Sequence, residues 1–240
     1  MLTWESMNRL RGGLTDRPTA YRAGQVVKER WFAPVVRPAA LSATRTGDVL
    51  SVHVPEFVDA DGHYGYTGGS GDKDTGAARV YRNGHLLEER KNLRGDLPAV
   101  PEDAEYRLEL STTRTSAEWR YATATQTAWT FRSARPAGTQ PLPLLGVDYD
   151  VPADLEGKVR GTLPVTLGFT ARGAKTMTAE ISYDDGTTWR RLPLIPLGQG
   201  RHTALVSHRA TGTGVSLRVT ATGAAGNRFE QTITRAYGVR

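Results

Sequence analysis

The chain has 240 residues, no cysteine, and 31 basic against 25 acidic side chains, for a formal net charge of +6. The lack of cysteine excludes a disulfide framework, thiolate zinc sites and a cysteine nucleophile together, and no run approaches the ~20 consecutive apolar residues of a membrane-spanning helix, so no membrane span is expected. The length exceeds the ~100–200 residues usual for one domain, which points to two modest domains. Only five of the basic residues are lysine (Lys28, Lys73, Lys91, Lys158 and Lys175), and the arginines are dispersed through both halves, often beside acids as in Glu88-Glu89-Arg90-Lys91. A nucleic-acid surface gathers its charge on one face or in runs, so no nucleic-acid partner is expected. Met1-Leu2-Thr3-Trp4-Glu5 lacks the basic start and apolar middle of a signal peptide.

Two-residue alternation dominates and helical periodicity is scarce. In chain order, Val49 to Val54 alternates, and Ala78 to Tyr81 and His85 to Glu88 flank Asn83-Gly84, a pair that favours a tight hairpin turn. Tyr106 to Leu110 and Thr127 to Phe131 complete a first set of strands. In the second half Leu163, Val165, Leu167 and Phe169 share one parity, as do Met177, Ala179, Ile181 and Tyr183. Further strands are expected over Ala204 to His208, Val215 to Thr222 and Phe229 to Ala236, the last pair joined by the turn Gly223-Ala224-Ala225-Gly226-Asn227. The fold class is therefore all-β, as two tandem β-sandwich units of immunoglobulin-like type, although no Cys-Trp-Cys signature accompanies them. Between the units, residues 133–143 hold Pro136, Gly138, Pro141 and Pro143, which disfavour regular pairing and suggest a Pro/Gly linker. The boundary falls near residue 138, with a β-rich domain over 1–137, expected to be truncated at its N-terminal side, and a sandwich over 138–240.

The most constrained stretch is Ser182-Tyr183-Asp184-Asp185-Gly186-Thr187-Thr188-Trp189, which satisfies S-x-D-x-G-x-T-W, the Asp-box. Asp185-Gly186 would form the tip of a hairpin between Met177 to Tyr183 and Thr188 to Leu194. Gly186 supplies positive φ without a Cβ clash, Ser182 and Asp184 accept backbone N–H groups around the turn, and Trp189 folds its indole over the base. Ser182, Asp184, Gly186, Thr188 and Trp189 thus read as structural. The other reading is a glycan site, since Asp-boxes recur in sialidase propellers, but there the motif repeats blade by blade and here it occurs once.

Four carboxylates, Asp59, Asp61, Asp72 and Asp74, fall in a short glycine-rich span. Calcium takes six to eight oxygen ligands, which such a loop can provide if it folds back on itself; ordinary β-turns also favour Asp and Gly. No other cofactor is expected. His53, His63, His85, His202 and His208 are widely separated and form no metal-binding pair. A diverged hydrolase would show as a pocket where His63 or His85 meets a serine and a carboxylate. Trp4, Trp31, Trp119, Trp129 and Trp189 would make a sugar-stacking platform if two or three were coplanar and exposed; a tryptophan in a small sandwich more commonly plugs the core or a hairpin end.

Several segments occur in an order that resembles the post-catalytic, C-terminal region of secreted subtilisin-like serine peptidases (subtilases) of actinobacteria. They are Pro18-Thr19-Ala20-Tyr21-Arg22-Ala23-Gly24 with Glu29-Arg30-Trp31, Asp59-Ala60-Asp61-Gly62-His63, Val80-Tyr81-Arg82-Asn83-Gly84, Ala128-Trp129-Thr130-Phe131-Arg132-Ser133, the Asp-box, and Gln231-Thr232-Ile233-Thr234-Arg235-Ala236-Tyr237. The resemblance spans nearly the whole chain. It implies an extracellular peptidase whose catalytic domain lies N-terminal to these residues and is their partner, with protein or polysaccharide surfaces as further partners. None of the three subtilase catalytic motifs carries over; Asp74-Thr75-Gly76 matches the letters of the aspartate motif but has no histidine or serine partner in the required setting. The expected role is that of a non-catalytic accessory region that stabilises or positions the protease, or binds substrate or cell surface. The alternative is a glycan-binding or adhesive extracellular sandwich module.

Overall fold

A computed structural model of the protein describes residues 2–4, 13–16, 19–68, 73–208, 212 and 214–240. The described residues are all-β, with no helix and 21 strands in five sheets. The largest sheet has nine strands; its hydrogen-bonded path runs Arg190–Arg191, Ala174–Ser182, Gly214–Gly223, Arg228–Val239, Ala124–Ser133, Ala104–Thr113, Thr75–Arg82 and His85–Arg90, all antiparallel. Lys158–Val159 joins it in parallel at the end of Arg228–Val239. One four-stranded sheet comprises Thr139–Pro141, Ser42–Thr46, Val49–Val54 and Leu93–Pro98, and the other Asp148–Asp150, Val165–Thr170, Arg201–Val206 and Ile195–Gly198.

Alternation explains the layering. Leu50, Val52 and Val54 in one small sheet, Val165, Leu167 and Phe169 in the other, and Ala104, Tyr106, Leu108 and Leu110 in the large sheet are all buried, because period-two apolar positions share one face of a strand. These faces contribute to a single apolar cluster that extends from Leu14 to Val239. At Asn83-Gly84 the flanking residues Arg82 and His85 pair directly, and both turn residues have positive φ (48° and 78°), as a two-residue hairpin requires.

The expected division at residue 138 meets a sheet that crosses it. Ala124–Ser133 pairs with Arg228–Val239 over seven positions, from Ala124 opposite Thr234 to Thr130 opposite Arg228. The segment expected as a linker is itself partly ordered: Thr139–Pro141 pairs with Ser42–Thr46, and the Leu142 N–H donates to the Ala43 carbonyl. Pro141 is accommodated because this is an edge strand, where a missing N–H leaves no ladder bond unmade. The sheet of Asp148–Asp150, Val165–Thr170, Arg201–Val206 and Ile195–Gly198 lies wholly beyond residue 138, the other small sheet takes one edge strand from beyond it, and the large sheet draws strands from both sides.

Buried polar groups stitch the same seam. Gln231, 1 % exposed, donates from Nε2 to the Pro38 carbonyl (3.0 Å) and to Thr127 Oγ1 (2.9 Å), and its Oε1 accepts from Tyr149 Oη (2.9 Å). Trp129, also buried, donates from its indole to the Leu145 carbonyl at 2.9 Å and packs on Phe229. A buried polar group left without its partner costs about 1–3 kcal/mol. We predict that Gln231→Leu destabilises the chain by about 2–4 kcal/mol, because three partners lose their bonds at once. Scanning calorimetry is also expected to show one cooperative transition for the wild-type chain; two separate transitions would show that the halves unfold independently.

Candidate functional site

The strand Ala174–Ser182 ends at the first residue of the Asp-box, and chain pairing resumes at Arg190–Arg191, opposite Glu180 and Ile181. The turn is therefore wider than the tight hairpin expected, and its second arm is only two residues long. Its shape comes from side chains. Ser182 Oγ, buried, accepts from the Gly186 N–H (2.9 Å) and donates to Asp184 Oδ1 (2.7 Å). Asp184 Oδ1 also accepts from the Thr188 N–H (2.8 Å), while Oδ2 accepts from Thr188 Oγ1 (2.6 Å). Asp185 and Gly186 hold φ of 54° and 93°, and a Cβ on Gly186 would sit 3.2 Å from Trp189 Cζ2. The five fixed positions thus bond to or pack on one another within eight residues.

This arrangement accounts for the electrostatics. The Thr188 hydroxyl, the Thr188 N–H and the Ser182 hydroxyl all donate to the Asp184 carboxylate and hold its pKa down to about 2. Trp189 is half-buried rather than a core plug, and the Arg218 guanidinium lies over its ring, 4.5 Å from the centroid. Tyr183, a variable position of the motif, hydrogen-bonds His208 Nδ1 at 2.9 Å; burial holds the His208 pKa below its ordinary value.

Two residues to which sequence reasoning gave no pairing role tie the loop to the sheet. Asp185 forms an ion pair with Arg235 (Nη2 to Oδ2, 2.7 Å), and Arg235 lies at an irregularity in the pairing of Gly214–Gly223 with Arg228–Val239. There it takes a positive φ of 54° and donates its N–H to Ser216 Oγ at 3.0 Å. The available signal was the segment Arg235-Ala236-Tyr237, noted above only for its place in an ordered set.

The three described acidic residues, Asp59, Asp61 and Asp74, do not converge. Asp59, buried, accepts from the N–H groups of Asp61 and His63 at 3.0 and 2.9 Å and contacts His63 Nδ1 at 2.8 Å, closing a turn around Gly62. Asp61 instead faces Arg30 across 3.3 Å. Asp74 is buried opposite Arg114 (3.4 Å), whose guanidinium is sandwiched between Phe57 and Trp119. Asp72 lies outside the described residues. Among the described residues no group of three or more His, Cys, Asp or Glu is disposed to hold a metal ion. The three described carboxylates have separate partners: His63 for Asp59, Arg30 for Asp61 and Arg114 for Asp74.

His63 does meet a carboxylate, and it stacks on Trp31 with ring centroids 3.8 Å apart. Among the described residues no serine hydroxyl bonds its ring, and His85 is exposed on the hairpin strand His85–Arg90. The tryptophans are likewise dispersed: Trp129 in the core, Trp31 on His63, Trp119 on Phe32 and Arg114, and Trp189 beneath Arg218. The side chain of Trp4 is outside the described set. No family model matches the sequence, and no curated protein matches it.

Two outcomes are expected from the motif. Gly186→Val and Trp189→Ala should each lower stability, the first by ~1–3 kcal/mol through strained backbone and the crowded indole, the second by ~1–2 kcal/mol, less than for a fully buried tryptophan. Thermal melting checks both. Because the Asp184 pKa is depressed in the folded state, the stability it contributes is complete above its unfolded pKa and is lost as pH falls through about 2. The melting-temperature advantage of wild type over Asp184→Asn should accordingly be full above about pH 4 and narrow between about pH 4 and 2.

Proposed function

We propose that this chain is a non-catalytic accessory region of a secreted subtilisin-like serine peptidase, which stabilises or positions the catalytic domain that precedes it. The reading of its context rests on the ordered segments from Pro18–Gly24 to Gln231–Tyr237. The observation that favours a scaffold over a site is the Asp-box: Ser182, Asp184 and Thr188 spend their polar groups on one another and on the loop backbone. A group so engaged has little left to offer a ligand. Within this reading the two sandwich-like units act as one body through the sheet they share, and that suits a rigid appendage better than a flexible tether. The partner is the catalytic domain of the same precursor, and the compartment is extracellular.

The test uses both the isolated chain and the longer protein. The isolated chain is expected to hydrolyse neither casein nor a peptide ester, and no serine in it should react with a fluorophosphonate probe; stoichiometric labelling would overturn the non-catalytic assignment. Deleting residues 1–240 from the full-length peptidase should shorten the half-life of activity on heating, with kcat on a small peptide ester unchanged. An unchanged half-life would remove the stabilising role.

A further inference from the structure

The outer face of the nine-stranded sheet carries a trough of 390 Å³ that both halves of the chain build. Strand register sets its floor. One row crosses four strands as Ser111, Gln126, Thr232 and Arg218; the next places Ala128 and Thr220 on either side of Glu230. Ala128 alternates with the inward-facing Thr127 and Trp129, so its methyl points outward, yet it is only 7 % exposed. It lies sunk between longer neighbours, which makes the face concave. From Thr75–Arg82 to Gly214–Gly223 the trough spans four strand-to-strand steps, about 19 Å.

Its walls are arginines that are anchored but not used up. Arg107 donates from Nε to Glu109 (2.7 Å) and from Nη1 to Glu230 (2.9 Å) and Thr130 (3.2 Å). Arg218 donates from Nε to Glu180 (2.7 Å) and is flattened over Trp189; Arg79 donates from Nε to Glu89 (2.9 Å). Each guanidinium is thus fixed in direction, and terminal N–H groups of Arg107, Arg218 and Arg79 remain available. On the floor, the side chains of Ser111, Gln126, Thr220 and Thr232 make no hydrogen bond to other described residues.

The charges decide the class of ligand. Every arginine of the walls is paired with a glutamate, so a polyanion would have to displace carboxylates from their cations and a polycation would have to do the reverse. A neutral chain bearing many hydroxyls displaces neither: each hydroxyl both donates and accepts, matching a face on which fixed N–H donors, carboxylate acceptors and free hydroxyls and amides lie close together. We propose that this trough binds an unbranched neutral polysaccharide, with the terminal N–H groups of Arg107 and Arg218, the Gln126 amide and the Thr220 and Thr232 hydroxyls as its contacts. The trough length suits about four pyranose rings laid across the strands. This site is separate from the Asp-box, and it stands whether or not a peptidase domain precedes the chain.

Native affinity electrophoresis of the chain tests it, in gels containing glucomannan, a linear β-1,3-glucan, hydroxyethyl cellulose or amylose, with heparin and casein as charged and protein comparisons. Retardation is expected in at least one neutral polysaccharide. Gln126→Ala, at an exposed position that the fold does not need, and Arg107→Ala should each weaken that retardation about tenfold, whereas Ser182→Ala in the Asp-box should leave it unchanged. Three results would overturn the proposal: retardation by no neutral polysaccharide, retardation by heparin or casein alone, or retardation that neither trough substitution reduces.

Discussion

The pairing of Ala124–Ser133 with Arg228–Val239 is the interaction on which the rest of the architecture depends. It joins strands about 100 residues apart in sequence and turns what would be two open sheet edges into the middle of one sheet. With both strands interior, their inward residues Thr127, Trp129, Ile233 and Gln231 have neighbours on both sides and are buried. Gln231 can then act as a junction, its single amide reaching the Pro38 carbonyl from one half and the Tyr149 hydroxyl from the other. Loop-closure entropy is the cost of bringing such distant segments together, and it grows only slowly with loop length. A long register of backbone hydrogen bonds and a continuous apolar face offset it.

The Asp-box connects to this seam through electrostatics. Its fixed residues close a loop on themselves, and the one acid left facing outward, Asp185, reaches Arg235 on the central strand. Arg235 sits where the ladder is irregular, so the ion pair holds a point of weak pairing instead of adding to a strong one. The Arg235 partner also lowers the Asp185 pKa, which keeps that contact charged further into the acid range. A motif that looks local in sequence is thus coupled to the strand that makes the most distant pairing among the described residues.

What could be foreseen from the sequence follows from the range of the forces involved. Strands such as Val49–Val54, Ala104–Thr113 and Arg228–Val239 were legible because burial on one face writes alternation into adjacent residues. The Asn83-Gly84 turn was legible because positive φ at two successive positions narrows the choice of residues. Leu93–Pro98 was not: Gly95 and Pro98 read as breakers, and the strand is held by its neighbour Val49–Val54. Ser42–Thr46 was hidden by Arg45, a buried cation whose cost is met by the nearby Gly47 carbonyl and Asp48 and by Ser133, 88 positions away, which spacing does not reveal. The partners of the acidic loop were hidden for the same reason, since Arg30 and Arg114 lie 31 and 40 positions from Asp61 and Asp74 and nothing in spacing reveals them. The internal bonds of the Asp-box lie within Ser182 to Thr188, and there sequence reasoning reached the right side chains but not the width of the turn.

The position of Arg228–Val239 in the sheet also bears on how the chain comes to be made. It occupies an interior place, but it is synthesised after every other described strand. As the chain grows, Ala124–Ser133 and Gly214–Gly223 each wait with a row of unpaired N–H and C=O groups, flanked by apolar faces that nothing yet covers. Such waiting edges are templates for pairing with another nascent copy, and the interval is prolonged because distant β pairing is intrinsically slow. The hydroxyl-rich and arginine–glutamate outer face, together with the charged run Glu88-Glu89-Arg90 on an outermost strand of this sheet, favours solubility of the half-built sheet and disfavours wrong partners until the last strand pairs.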